Sequence, residues 1–220
     1  MASISSKKIV FDMDGVLLDS ERLILNIWIL LGEKHHVTGM EDVMKECLGT
    51  NNTETRRIVE SHFGPDFPYE EFRAEAREMF FDRTKKDGVP LKAGSRELLQ
   101  FLKINGWDIG LASSTSGNTV REELQTVGLL DFFKVVVSGE MVRESKPHPE
   151  IYFKACEMLG SDPKETIAIE DSKNGVRSAA MAGCRVIMVP DIVPPDPDSE
   201  RLAWKVFPDL GEVRRYFTAM

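Results

Sequence analysis

Five short apolar runs constrain this chain more than any other feature: Lys8 to Phe11, Asp108 to Ala112, Val135 to Val137, Ile167 to Ile169 and Val186 to Val189. Runs this short, rich in β-branched residues and bounded by turn formers, read as buried strands. From the second run onward, helical spacing fills the gaps. Gly94 to Asn105 places Leu98, Leu99 and Leu102 on one face, and Asn118 to Val127 closes at Gly128. Pro149 opens a helix to Leu159, and Asp171 or Ser172 caps one that runs to Ala182 and stops at Gly183. Strand and helix in alternation predict an α/β fold, a parallel sheet with helices on both faces. Trp204 to Phe207 adds an edge strand, and the proline- and aspartate-rich stretch from Asp191 to Asp198 reads as a surface loop.

The rhythm is interrupted once. Between the first two runs lie only helical patterns: Ser20 to Gly32, Glu41 to Leu48, Thr53 to Phe63 and Tyr69 to Lys86. Gly49 to Asn52 and Gly64-Pro65-Asp66 are the breaks between them. A block of helices inserted after the first strand predicts a separate small domain over residues 18–89, with 1–17 and 90–220 forming the sheet-bearing core.

The strand ends carry the chemistry. Asp12 and Asp14 stand two apart where the first strand ends, so both acids lean toward one volume, and Gly15 lets the backbone turn away. The second strand ends in Ser113-Ser114-Thr115, the fourth in Glu170-Asp171, and Lys146 lies between the third and fourth. The C-terminal edge of such a sheet is where ligands bind. Hydroxyls, a lysine and two acid pairs on that edge describe a phosphate site beside a hard cation such as Mg²⁺. Taken singly, each residue has a plainer reading as turn, cap or solvated surface; the shared edge and chain order are what those readings do not predict. An EF-hand fails, because its glycine would fall on Leu17 and its final glutamate on Leu23. His148, between two prolines, is assigned no proton to move.

A formal net charge of −8 over 220 residues argues against nucleic acid or an anionic membrane as partner. No apolar run approaches the ~20 residues needed to span a bilayer, and the opening Met1 to Lys8 lacks the apolar segment of a secretory signal. Three cysteines without a C-x-x-C pair read as reduced thiols serving as small apolar residues, which fits the cytoplasm and argues against structural zinc.

The motifs Asp12-Met13-Asp14-Gly15-Val16, Leu111-Ala112-Ser113-Ser114, Lys146-Pro147 and Ile169-Glu170-Asp171-Ser172, in that order, resemble the haloacid dehalogenase superfamily. Within it the chain resembles the β-phosphoglucomutase-like phosphatases, which pair a Rossmann-like core with a helical cap. The resemblance implies Asp12 as the nucleophile that forms an aspartyl-phosphate, and Asp14 as the acid and then base. It implies Ser113 and the Ser114 amide on the phosphoryl oxygens, with Lys146 neutralising charge on both the nucleophile and the phosphoryl group. Mg²⁺ would be held by the Asp12 carboxylate, the Asp14 carbonyl and Asp171, with Glu170 assisting. The cap is expected to close over the site, exclude water and select the substrate, with Asn26, Gly49 and Asn52 as candidate contacts.

The family's dehalogenases and phosphonatases lack the second aspartate, so Asp14 favours phosphoryl chemistry. Its mutases carry a histidine on the first cap helix, where this chain has Ile24, and an arginine in the cap loop, where it has Gly49-Thr50-Asn51-Asn52. Arg56 and Arg57 lie nearby as substitutes. A phosphatase of small phosphate esters, sugar phosphates foremost, is therefore preferred over a mutase, and a non-catalytic sensor of a phosphorylated ligand ranks third. The expected partner is a small phosphorylated metabolite, and the chain is expected to act as a monomer.

Overall fold

The computed structural model describes residues 6–48, 50 and 52–219, Asn52 by its backbone only. Contacts divide the chain into two units, Met1–Asp19 with Pro90–Met220, and Ser20–Val89. The first holds strands β1 (Lys8–Phe11), β2 (Asp108–Ala112), β3 (Val135–Val137), β4 (Thr166–Glu170), β5 (Arg185–Met188) and β6 (Lys205–Val206). They form one sheet in the order β3-β2-β1-β4-β5-β6, and every pair is parallel.

The second unit is helical: α1 (Ser20–Lys34), α2 (Met40–Glu46), α3 (Asn52–Phe63) and α4 (Tyr69–Thr84). Its interior is aromatic. Trp28 stacks on Tyr69 and Phe72 at 5.9 and 6.2 Å between centroids, and Phe67 meets Phe72 at 4.7 Å. Gly32 reads as a helix stop in the sequence, yet α1 runs through it to Lys34. A side chain at Gly32 would lie 2.7 Å from Met40 Cβ, so the glycine is there to let α2 approach.

Back in the sheet unit follow α5 (Ser95–Ile104), α6 (Gly117–Thr126), α7 (Glu150–Leu159), α8 (Lys173–Ala182), α9 (Pro197–Leu202) and α10 (Leu210–Thr218). Val10, Ala112, Val137, Ala168 and Val186 form one cluster with Ile151, Tyr152 and Ala155 of α7 and Val176 and Ala179 of α8. The alternate strand residues Ile9, Phe11, Ile109 and Leu111 are equally buried, so both faces of the sheet are covered.

Two stretches at the end of the chain correct the sequence reading. The loop expected through Asp198 ends early: Asp196 accepts the Ser199 amide at 2.7 Å, and Pro197 occupies the first turn of α9. α10 is an addition to the elements expected from the sequence: Leu210, Val213 and Phe217 bury themselves at helical spacing behind an Asp209 cap. No helix among the described residues is long and apolar enough to cross a membrane.

Candidate active site

Register builds the site. Phe11 lies opposite Leu111 on one side and Ile169 on the other. Asp12, the residue after β1, and the last residues of β2 and β4, Ala112 and Glu170, therefore come out side by side at the C-terminal edge. The Asp12 amide continues the ladder to the Ile169 carbonyl at 3.0 Å, which holds the carboxylate over the strand end. Gly15 then turns with φ +76, and a Cβ there would sit 2.2 Å from Asp171 Oδ2. Only glycine meets both demands.

Lys146 reaches into the centre. Its ammonium donates to Asp12 Oδ1 at 2.5 Å, Glu170 Oε1 at 2.7 Å and the Ala112 carbonyl at 3.0 Å. Asp12, Glu170 and Asp171 are all buried, and each presents a carboxylate oxygen within 4.8 Å of the others. Burial pushes the Asp12 carboxyl up to about 8; Lys146 opposes this, while Glu170 and Asp14 add to it. Burial also works against the Lys146 charge, but Asp12 and Glu170 outweigh it and hold the amine above its usual range. Three buried carboxyl groups beside one ammonium, which bonds two of them, cannot all ionise without negative charge in excess. A divalent cation with oxygen ligands would relieve it, so the donor set fits Mg²⁺. Among the described residues this is the only such group of metal-ligating side chains, and the three cysteines are free buried thiols.

The hydroxyl residues form the neighbouring wall. Ser113 is fully buried and its Oγ accepts the Thr115 amide at 3.1 Å, while Ser114 is exposed. Gly139 makes this turn possible, since a Cβ there would lie 2.2 Å from the Ser114 carbonyl oxygen. Thr115 Oγ1 donates to Asp14 Oδ2 at 2.9 Å, tying the second acid to the loop after β2. Ser172, not Asp171, caps α8, accepting the Gly175 amide at 3.1 Å and leaving Asp171 to the carboxylate group. His148 stays exposed and pairs with Glu144 at 3.0 Å.

The structure thus brings Asp12, Lys146, Glu170 and Asp171 into one cluster and sets Asp14, Ser113 and Ser114 on the same strand edge. The cap candidates fare differently. Gly49 lies outside the described residues, as does the side chain of Asn52. Asn26 is exposed on α1. The helical unit holds a cavity of about 220 Å³ lined from α1 by Glu21, Ile24, Leu25 and Trp28 instead, with Thr55, Tyr69 and Arg73 among the other walls.

Two residues near the acids lie outside the set expected from the sequence: Tyr152 in the first turn of α7, which donates to Glu170 Oε1 at 2.6 Å, and Glu123 on α6, which feels the Asp14 charge. Nothing local marks either. Thr115, one of the hydroxyl residues at the second strand's end, binds Asp14 as above.

Comparison with known proteins agrees with this geometry. The sequence profile of haloacid dehalogenase-like hydrolases matches residues 9–189. A phosphorylated carbohydrates phosphatase of Thermotoga maritima is 32% identical over 178 residues, 80% of this chain and 81% of that protein. The crystal structure of CbbY from Rhodobacter sphaeroides in complex with phosphate superposes with a TM-score of 0.71 at 25% identity, covering 94% of this chain and 96% of the other. β-Phosphoglucomutase of Clostridium difficile shares the fold, with a TM-score of 0.68 at 22% identity over 98% of this chain and all of that one (100%). With strand order, motif positions and relatives in agreement, the chain belongs to the haloacid dehalogenase-like hydrolase family.

Proposed function

We propose that this protein is a Mg²⁺-dependent phosphatase of small phosphorylated carbohydrates that works through an aspartyl-phosphate on Asp12. The observation that carries the reading is the Lys146 ammonium shared between Asp12 and Glu170 inside a buried carboxylate group. An ammonium there offsets the charge on nucleophile and phosphoryl group together, and phosphoryl transfer depends mainly on such positioning and electrostatics.

Asp12 attacks phosphorus, and the bond to the leaving oxygen breaks. Asp14, oriented by the Thr115 hydroxyl, gives its proton to the departing alcohol. It then takes a proton from the water that attacks the aspartyl-phosphate, which returns Asp12 and releases inorganic phosphate. Ser113 and the Ser114 amide hold phosphoryl oxygens. Asp12, the Asp14 carbonyl and Asp171, with Glu170, are the residues that would hold Mg²⁺, and the bound ion supplies charge neutralisation at the phosphoryl oxygens. The helical unit serves as the substrate-selecting cap, with its cavity as a recognition surface beside the Asn26 and Gly49–Asn52 candidates. The carbohydrate preference rests on the Thermotoga relative's name. Free thiols suit action in the cytoplasm.

Phosphate release from a panel of phosphorylated metabolites, with and without Mg²⁺, tests this reading. Release from one or a few esters, lost by at least about a thousandfold in Asp12→Asn with an unchanged melting temperature, is the expected result. β-Glucose 1-phosphate converted to glucose 6-phosphate without phosphate release would make it a mutase. Silence across the panel would favour the sensor.

A further inference from the structure

We propose that Tyr152 is a positioning residue of this site: its hydroxyl pins Glu170 so that Lys146 remains shared between Glu170 and Asp12. The inference rests on the phosphatase reading above and adds to it a residue from the first turn of α7, outside the strand-edge motifs.

Tyr152 has no exposed surface, and its hydroxyl donates to Glu170 Oε1 at 2.6 Å. A buried hydroxyl is unfavourable unless bonded, and phenylalanine would fill the same volume without that penalty. The oxygen is therefore explained by its partner. Its ring serves the other member of the pair, with the Lys146 Nζ 5.3 Å from the ring centroid. One side chain thus touches both groups, the carboxylate through its hydroxyl and the ammonium through its face. The phenol acts as donor only, since burial, then the Glu170 and Asp12 charges, push its ionisation well above the ordinary range.

Glu170 is gripped at both oxygens. Oε1 takes Tyr152 and Lys146, and Oε2 takes the Asp171 amide at 3.2 Å. On its far side stands Gly175, where a Cβ would lie 1.9 Å from Oε2. The carboxylate cannot retreat toward α8. Without the Tyr152 hydroxyl, Lys146 becomes the only donor to Oε1 and is drawn from Asp12 toward Glu170, which weakens both the nucleophile's partner and the order of the carboxylates.

Tyr152→Phe in the full chain keeps the ring and deletes the donor. Calorimetric titration of the chelator-stripped protein with Mg²⁺ alone is expected to show an affinity about ten- to a hundredfold lower, the range for losing a partner of a metal ligand. Turnover of a phosphate ester should fall by a similar factor in kcat, with KM within about twofold, because the ester's own contacts are untouched. Ile151→Val, at a buried position on the same helix, is the packing control: a lower melting temperature with unaltered Mg²⁺ affinity is expected. Mg²⁺ affinity and kcat of Tyr152→Phe within twofold of wild type overturn the proposal, as does an equal loss in Ile151→Val. Should Tyr152→Phe not fold, fluorine spectra of wild-type protein labelled with 3-fluorotyrosine decide. The chain has three tyrosines, and substituting Tyr69 and Tyr216 assigns the third resonance. That resonance must move on Mg²⁺ addition, and a stationary one rejects the role. Wild type that neither binds Mg²⁺ nor releases phosphate removes the phosphatase reading and this inference with it; wild-type activity with an indifferent Tyr152 removes the inference alone.

Discussion

The two units of this protein treat charge in opposite ways. At the strand edge of the sheet unit, Asp12, Glu170 and Asp171 are buried and a nearly buried ammonium joins two of them. In the helical unit the charged pairs lie at the surface, some within one helix, such as Arg57 with Glu54 and Lys45 with Glu41, and others between helices, such as Lys34 with Glu75, and the interior is left to Trp28, Tyr69 and Phe72. Exposed pairs of that kind contribute little to stability, whereas buried charges are costly and persist where chemistry requires them. On the proposed reading, reaction and recognition call for different materials: a strand edge holds a rigid set of charges, and a helical unit with a mixed cavity can change its lining without disturbing that set.

Lys146→Met attacks the contrast where it is strongest. It leaves the buried carboxylates without their ammonium, and we expect kcat lower by about 10²- to 10³-fold and stability lower by about 3–5 kcal/mol. Urea unfolding beside steady-state rates reads both, and a variant as stable as wild type would show the cluster to be less buried in effect than it looks.

Glu123→Gln probes the electrostatics just outside the cluster. Burial, with the Asp14 charge adding to it, pushes the Glu123 carboxyl up to about 7. An acid that holds its proton longer when folded loses stability as pH rises through the ordinary carboxylate range, and the loss is complete above about 7. The glutamine variant should therefore match wild type near pH 4.5 and exceed it at pH 8, by at most about 3 kcal/mol. Thermal melts at the two pH values give the answer; a gap independent of pH would mean that Glu123 meets no such field.

Gly175→Ala separates local propensity from the site. Alanine favours a helix over glycine by about 1 kcal/mol, yet here its methyl must displace Glu170. We expect Mg²⁺ affinity about tenfold weaker, measured by titration; an unchanged value would mean Glu170 has room to move.

The smallest expected effect lies in the other unit. Arg73→Ala, at the cavity wall, should raise KM for the preferred ester about threefold with kcat and p-nitrophenyl phosphate turnover unaltered, a loss of uniform binding. A fall in kcat instead would break the division of labour drawn above.

Much of the catalytic unit is legible in the sequence because its determinants are local. Strand-forming runs and helical spacing mark the layers, and the residue after each run marks the functional edge, so Asp12, Asp14, Ser113, Glu170 and Asp171 can be read off the chain. Gly32 misleads because a glycine that ends a helix and one that admits a neighbouring helix look alike until Met40 is placed beside it. α10 is the opposite case: its apolar spacing and Asp209 cap are both local signals in the sequence.

The sequence by itself determined the alternating architecture, the helical insertion and the identity of the acids, since period and strand ends are properties of neighbours along the chain. Tertiary structure alone decided that Lys146 is shared with Glu170, that Thr115 takes hold of Asp14 across 101 residues, and that Tyr152 closes on Glu170. Those contacts depend on strand register and on how α7 lies against the sheet, and no local pattern encodes the distance between residues so far apart.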